Sequence, residues 1–290
     1  MITKKVLGHL AALFSIVVWG TTFVATKILL RVFSPVEILI FRFAIAYFLL
    51  WIIYPKPLIL KRLRDEVPFA IAGLCGITLY YLLENVSLVY TRASNVSIIV
   101  STAPFFVAIV YSILGNRNEK PSKMFYLGFV FAIIGIILLS LTEEGFVFSF
   151  KGDGLALASA ASWGFYSFYV KKCSDRGYNM FQITRRCFMY GLLFMLPVLP
   201  FSHISLSLDN FTDPTILFCL FFLGFLASAI CFITWNYGVK LLGAVTSSVY
   251  IYLTPVFTVV AAYFTIHEDF SLQSIVGMLL VMSGLVISQL

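Results

Sequence analysis

Long apolar runs dominate the chain, and their length limits the possible folds more than any other feature. A helix needs about 20 apolar residues to cross the hydrocarbon core of a bilayer. Lipid cannot hydrogen-bond the backbone, so such runs cross a membrane as helices. Ten candidate spans follow one another with short loops: 6–30, 35–54, 67–90, 93–114, 123–142, 152–172, 179–200, 215–241, 243–266 and 270–290. The sequence therefore predicts an all-α integral membrane protein with ten transmembrane helices.

The composition agrees with lipid as the main solvent. Hydrophobic residues make up 61% of the chain and charged residues 11%, against about 45–50% and about 25% in ordinary soluble domains. This excludes a soluble enzyme, a nucleic-acid-binding protein and a disulfide-linked secreted domain. The five cysteines show no metal-ligand spacing, so we expect neither a metal nor a cofactor. The expected partners are a small-molecule substrate and the lipid bilayer, with the chain acting as a monomer or a homodimer.

Basic residues indicate the orientation. Ten spans place both termini on one side of the membrane, and most of the 20 Lys and Arg residues fall on loops of that same side. An excess of Lys and Arg is typical of cytoplasmic loops. We therefore expect a multi-pass protein of the cell membrane with both termini in the cytoplasm. The loops 55–66, 115–122 and 173–178 are predicted to face the cytoplasm, and the loop 201–214 to face outside.

The two halves of the chain resemble each other. The matching pairs are Ser15 and Ser159, Trp19-Gly20 and Trp163-Gly164, Lys27 and Lys171, Arg42 and Arg186, Gly73 and Gly224, Asn85 and Asn236, Ala93 and Ala244, Ser97 and Ser248, Pro104 and Pro255, Glu119 and Glu268, Gly128 and Gly277, and Gly135 and Gly284. The pattern predicts two repeats, 1–145 with spans one to five and 146–290 with spans six to ten. Since five is odd, the second repeat enters the membrane inverted.

An inverted repeat is typical of secondary transporters, which bind their substrate near the membrane midplane between the repeats. Duplication for stability alone is the alternative, and enzymes and channels can also be duplicated. The chain shows no catalytic constellation: no acidic pair lies in a span, and His9, His203 and His267 share no motif. The pattern therefore favours transport by alternating access.

The paired motifs resemble those of the EamA family of the drug/metabolite transporter superfamily. They are Trp19-Gly20, Arg42-Phe43, the run 88–94, Pro104, Glu119 and Gly128 in the first half, and Trp163-Gly164, Arg186, Pro255 and Glu268-x4-Gln273-x3-Gly277 in the second. The second half departs from the pattern at Cys187, where an aromatic residue is usual, and the Gly-Glu pair before spans five and ten is altered. The resemblance implies a ten-helix transporter of small polar metabolites such as amino acids, acting as an exporter or an importer.

Charged residues within spans mark functional candidates, because they are costly in lipid. Lys27, Arg42 and Glu84 lie at a similar depth, with Glu37 nearer the surface. The four balance in charge, which favours an ion-pair network that could hold a gate. Glu84 is also a candidate proton relay, as the only acid deep in a span.

Arg186 is the copy of Arg42, but the copy of Glu84 is Trp235. The sequence therefore predicts no buried acid beside Arg186, and a substrate carboxylate or phosphate could bind it. One alternative is an interaction of Arg185 or Lys171 with lipid phosphates. The other is that Arg186 pairs with Asp175 or with backbone carbonyls at the inner gate.

Polar and aromatic residues recur at helical spacing in spans one to four and six to nine, which are expected to enclose a cavity, with spans five and ten peripheral. The predicted substrate-binding residues are Trp19, Arg42, Tyr81, Asn85, Ser97, Ser101, Trp163, Tyr166, Arg186, Asn236, Ser248 and Tyr252. The predicted gating or proton-relay residues are Lys27, Glu84, Pro104 and Pro255. The serines could instead bond their own backbone.

The sequence thus favours an exporter of small polar metabolites such as amino acids. A multidrug or lipid-type exporter of the same superfamily is the alternative, and an intramembrane transferase is the least favoured function.

Overall fold

A computed structural model describes residues 4–60, 62–91, 93–115, 121–140, 149–202, 208–266, 272–288 and 290. Ten helical segments lie in these residues, at the positions of the ten predicted spans. They are α1 (Lys4–Leu29), α2 (Pro35–Ile53), α3 (67–90), α4 (93–114), α5 (Lys123–Ser140), α6 (Phe150–Asp175), α7 (Met180–Met195), α8 (Pro214–Leu242), α9 (244–266) and α10 (Leu272–Ser288). The motif residues Glu119 and Glu268 and the predicted repeat boundary at 145 lie outside the described residues.

Length and hydropathy identify six of these segments as membrane-crossing helices on their own: α1, α2, α3, α4, α8 and α9. The helices α5 and α10 add shorter apolar stretches. Leu127, Val130 and Ile134 of α5 and Leu279 and Met282 of α10 are all exposed large apolar side chains. Such a surface requires an apolar solvent.

Local sequence signals set several helix ends. Ser34 and Glu37 form a reciprocal capping box at the start of α2, where Pro35 is the first helical residue. Gly177 and Gly243 adopt positive φ values of 82° and 87° in the tight connections after α6 and α8. Glycine accepts this conformation without the steric cost that other residues meet.

The contact between α5 and α10 is symmetric, because each helix meets the other through equivalent residues. A Cβ atom on Gly284 would lie 2.5 Å from the Gly128 carbonyl oxygen and 2.6 Å from the Ala132 nitrogen. A Cβ atom on its repeat copy Gly135 would lie 2.6 Å from the Gly277 oxygen and 2.7 Å from the Val281 nitrogen. Reciprocal contacts of this kind are the signature of a two-fold relation.

A second pair of contacts follows the same relation. Gly20 of α1 packs against Phe257 of α9, and its copy Gly164 of α6 packs against Phe106 of α4. Four helices are also irregular at corresponding places. The segments Leu74–Leu79 of α3 and Phe222–Ile230 of α8 are π-helical, and α4 and α9 are interrupted just before Pro104 and Pro255. The two halves are therefore related by a pseudo-two-fold axis.

Candidate functional site

Trp19 and Trp163 mark the place where the pseudo-two-fold axis passes through the bundle. They are repeat copies of each other, and their rings touch edge to face with centroids 5.5 Å apart. A narrow space opens beside them, between α1, α3, α4, α6 and α9. Helix direction places it between the middle of the bundle and the end opposite Lys4. We call that end the far end, and the end with Lys4 the N-terminal end.

Glu84 supplies a carboxyl group to the wall of this central cavity. Its side chain is 2% exposed and interacts electrostatically with the Tyr80 side chain. Tyr80, Tyr81, Trp19 and Trp163 line the same space. A carboxylate among aromatic faces suits a positively charged group, because both the charge and the ring faces attract cations.

Arg42 lies behind Tyr81 rather than in the wall. It is 1% exposed, its Nε donates to the Ser228 hydroxyl at 2.6 Å, and one terminal nitrogen donates to the Tyr81 hydroxyl at 3.3 Å. Its guanidinium carbon sits 4.2 Å from the centre of the Tyr81 ring. Arg42 and Glu84 interact electrostatically, but no ion pair within 4 Å joins them.

The two central tryptophans differ in their hydrogen bonds. The Trp19 Nε1 donates to the Ala227 carbonyl oxygen at 2.8 Å. The Trp163 Nε1 is buried and has no partner among the described residues. A buried donor without a partner is costly. Because Trp163 lines the central cavity, a ligand acceptor could satisfy it.

The corresponding region of the second half is filled instead of hollow. Trp235, the copy of Glu84, is 1% exposed, and Phe232, the copy of Tyr81, is fully buried. The Tyr166 hydroxyl donates to the Asn236 side chain at 3.1 Å, and Asn236 donates to the Thr184 hydroxyl at 2.9 Å. Tyr166 and Asn236, both predicted to bind substrate, thus bond within the protein in this conformation.

Several other predicted substrate-binding residues form hydrogen bonds to main-chain oxygens of the protein. Ser101 donates to the Ser97 carbonyl oxygen at 2.6 Å, and Ser248 donates to the Val245 oxygen at 2.7 Å. Ser101 and Ser248 therefore bond the backbone of their own helices, which is the alternative to substrate binding for the serines. The Asn85 amide donates to the Pro35 oxygen at 3.1 Å. Other predicted positions are buried in the helix core: Pro104, Tyr252 and Pro255.

Of the predicted ion-pair network of Lys27, Glu37, Arg42 and Glu84, the structure shows no ion pair within 4 Å among Lys27, Arg42 and Glu84, so that part of the prediction is wrong. Lys27 donates to the main-chain oxygens of Leu88 at 2.5 Å and Thr91 at 3.2 Å. Main-chain oxygens near the end of α3 are free to accept because no following helical turn uses them.

The expectation that Arg186 lacks an acidic partner is also wrong. Its terminal nitrogen lies 3.1 Å from a Glu66 carboxylate oxygen. The side chain lies at the N-terminal end of the bundle, away from the central cavity. Asp175 pairs with Lys171 instead. Arg185, which precedes Arg186 in the chain, is the more buried of these two arginines and is 4% exposed.

Sequence reasoning missed Tyr80 as a cavity residue. Tyr80 and Tyr81 are adjacent, and a regular helix turns about 100° between neighbours. The helical pattern therefore predicts that Tyr81 alone faces the cavity. The π-helical segment Leu74–Leu79 directly precedes them. Such segments are rare and occur often at functional sites, but the sequence gives no simple signal for them.

Comparison with known proteins gives matches over nearly the whole chain. The family model described as "EamA-like transporter family" matches residues 6–141 and 150–289. An "Uncharacterized transporter" of Archaeoglobus fulgidus is 26% identical over 282 residues, covering 95% of each chain. A "Probable terminal-alkyne amino-acid exporter" of Streptantibioticus cattleyicolor is 26% identical over 89% of this chain and 85% of its own.

One solved crystal structure superposes with a TM-score of 0.74 at 17% sequence identity, covering 97% of this chain and 95% of the other. At that identity, the likeness concerns the fold alone. The family match, with one region in each half of the chain, agrees with the two repeats seen in the helix contacts.

Proposed function

The chain belongs to the EamA-like transporter family, and from this membership we propose that it exports small metabolites carrying a protonated amino group, such as amino acids, across the cell membrane. The observation that carries the proposal is Glu84, a buried carboxyl group in the aromatic wall of the central cavity. A buried carboxylate is stabilised by a positively charged partner. No described basic side chain lies within 4 Å of it, so the substrate ammonium would take that place.

The aromatic residues around Glu84 would supply the remaining contacts of an amino-acid site. The rings of Tyr80, Tyr81 and Trp19 would surround the ammonium and the side chain of the substrate. The unpartnered Trp163 Nε1 would donate to the substrate carboxylate. Arg42, buried behind Tyr81, would stabilise the charged form of the Glu84 carboxylate. The pairing of a carboxylate, an indole N–H and aromatic faces matches the three parts of an amino acid.

Alternating access would follow from the pseudo-two-fold relation. The cavity opens on the Glu84 side, while Trp235 and Phe232 pack the equivalent region. In the opposite state, the bundle would close around Glu84 and separate around Trp235, with Trp19 and Trp163 near the pivot. Outward transport is supported by the relative from S. cattleyicolor, whose name includes the word exporter.

The test is counterflow transport in proteoliposomes. Labelled amino acids would be compared with analogues lacking the amino group or the carboxylate. We expect saturable transport of the amino acid and weak transport of the deaminated acid. Vesicles of opposite orientation would report the direction.

Two variants distinguish the Glu84 site from a general effect of charge. Glu84→Gln keeps the size of the side chain and should lower transport at least about tenfold, since a charge-assisted hydrogen bond contributes about 1.5–3 kcal/mol. Asp213→Asn is the control, because Asp213 is an exposed N-cap of α8 that asparagine can replace. Wild-type transport of amino acids by Glu84→Gln would contradict the assignment.

A second substrate class is favoured by the same walls. Aromatic faces and one carboxylate also suit bulky organic cations. Such a cation brings no hydrogen-bond acceptor, so the Trp163 N–H would stay without a partner when the cation is bound. A competition assay distinguishes amino acids from organic cations as the substrate class. Inhibition of organic-cation flux by a small amino acid places both in one site, and organic-cation flux without any amino-acid transport would identify a multidrug exporter.

A further inference from the structure

A second pocket lies at the N-terminal end of the bundle, away from the central cavity. It lies between the end of α2, the segment 54–60 and the first turns of α7. The residues that matter here are Tyr47, Trp51, Leu58, Gln182, Arg185 and Arg186. All of them except Arg185 are half-buried, so the pocket can be reached from outside the protein. We call it the basic pocket.

Arg185 brings a buried positive charge to the basic pocket. Its guanidinium carbon stacks 3.5 Å from the centre of the Trp51 ring. Its two terminal nitrogens donate at 2.5 Å to the main-chain oxygens of Tyr54 and Lys56. All of these partners are neutral. Among the residues that the structure describes, no carboxylate lies within 4 Å of Arg185.

Arg186 adds a second guanidinium that is only partly satisfied. Its terminal nitrogen contacts Glu66 at 3.1 Å and the Leu58 carbonyl oxygen at 2.9 Å. The same Glu66 carboxylate also accepts a hydrogen bond from the Tyr190 hydroxyl at 3.0 Å. The Nε of Arg186 is buried without a partner. Two arginines and one shared carboxylate leave the pocket with a net positive charge.

The chemistry and the location point to one class of ligand. A positive charge held in a low-dielectric site needs an anion, and guanidinium donors match phosphate oxygens well. The basic pocket lies at the end of the bundle whose loops are rich in Lys and Arg, where anionic lipid headgroups collect. We infer that the basic pocket binds a phosphate group, supplied by an anionic phospholipid headgroup or by a soluble phosphate ester.

The experiment measures thermal unfolding of the purified full chain in a neutral detergent. Phosphatidylglycerol, phosphatidylcholine and glycerol phosphate are titrated separately at constant ionic strength. A rise in Tm with phosphatidylglycerol alone supports a lipid-derived phosphate. A rise with glycerol phosphate as well supports a site open to soluble esters. No rise beyond that seen with phosphatidylcholine overturns the inference.

Three variants locate the effect, each compared with itself without lipid. Arg186→Gln should weaken the apparent affinity for the phosphate ligand at least about tenfold. Arg31→Gln removes an exposed charge at the far end and should bind as the wild type does. Glu66→Gln removes the negative charge of the basic pocket and should bind several-fold more tightly.

The Glu66 variant keeps the inference testable even if Arg186→Gln does not fold. A purely structural ion pair predicts lower stability for Glu66→Gln without tighter ligand binding. Equal binding by Glu66→Gln and the wild type would therefore overturn the inference, as would equal weakening by Arg186→Gln and Arg31→Gln.

Discussion

The crossing of α5 and α10 makes a quantitative prediction from its symmetry. In Gly284→Ala the new Cβ would lie 2.5 Å and 2.6 Å from backbone atoms of α5, and in Gly135→Ala it would lie 2.6 Å and 2.7 Å from the equivalent atoms of α10. Backbone atoms cannot rotate away, so the helices must separate. Overpacking of this kind costs about 1–3 kcal/mol. At about 2–4 °C per kcal/mol, both variants should lose about 2–12 °C in Tm, by similar amounts.

Gly154→Ala is the matched control, because nothing lies within 4 Å of a Cβ at that position of α6. An alanine in an open helical position should leave Tm unchanged or raise it slightly. Intrinsic tryptophan fluorescence during heating measures all three variants in the same detergent. If Gly284→Ala is destabilised and Gly135→Ala is not, the reciprocal packing argument is refuted.

Three further predictions follow from single contacts. Trp163→Phe should lower the apparent affinity for substrate about tenfold with little change in Tm. Trp19→Phe should instead lower Tm, because it removes the buried hydrogen bond to the Ala227 carbonyl oxygen; transport assays and melting curves separate the two. Ser228→Ala removes the partner of the buried Arg42 Nε and should cost about 1–3 kcal/mol, measured as a fall in Tm. Gly243→Ala forces alanine to a φ of 87° and should cost about 1–2 kcal/mol, and an unchanged melting curve would contradict the role of that glycine.

The helical framework could be predicted because each of its parts has a local signal. Span length follows from bilayer thickness, and the start of α2 follows from Ser34, Pro35 and Glu37. Paired residues such as Trp19 and Trp163 predict the repeat, and the five spans of each repeat predict its inversion. The contact of Trp19 with Trp163 across the pseudo-two-fold axis confirms the expected relation of the repeats.

The polar contacts could not be predicted by the same reasoning. Comparing repeats suggested that Arg186 lacks an acid because Trp235 replaces Glu84, but its partner Glu66 comes from the connection before α3. A repeat comparison cannot find a partner that lies outside the repeated pattern. Lys27 likewise bonds main-chain oxygens, which every sequence contains and no side-chain pattern reveals.

The replacement of Glu84 by Trp235 has a consequence for the populations of the two end states. Two identical repeats would give end states of equal free energy, each occupied half of the time. In the proposed cycle, one state lines its cavity with the Glu84 carboxylate, and the other would line its cavity with the Trp235 indole, which is now 1% exposed. A free-energy difference of about 1.4 kcal/mol already gives a tenfold excess of one state. Under the proposed alternating access, the empty protein would therefore favour the state that opens beside Glu84, and a ligand would shift this population only by binding the other state more tightly.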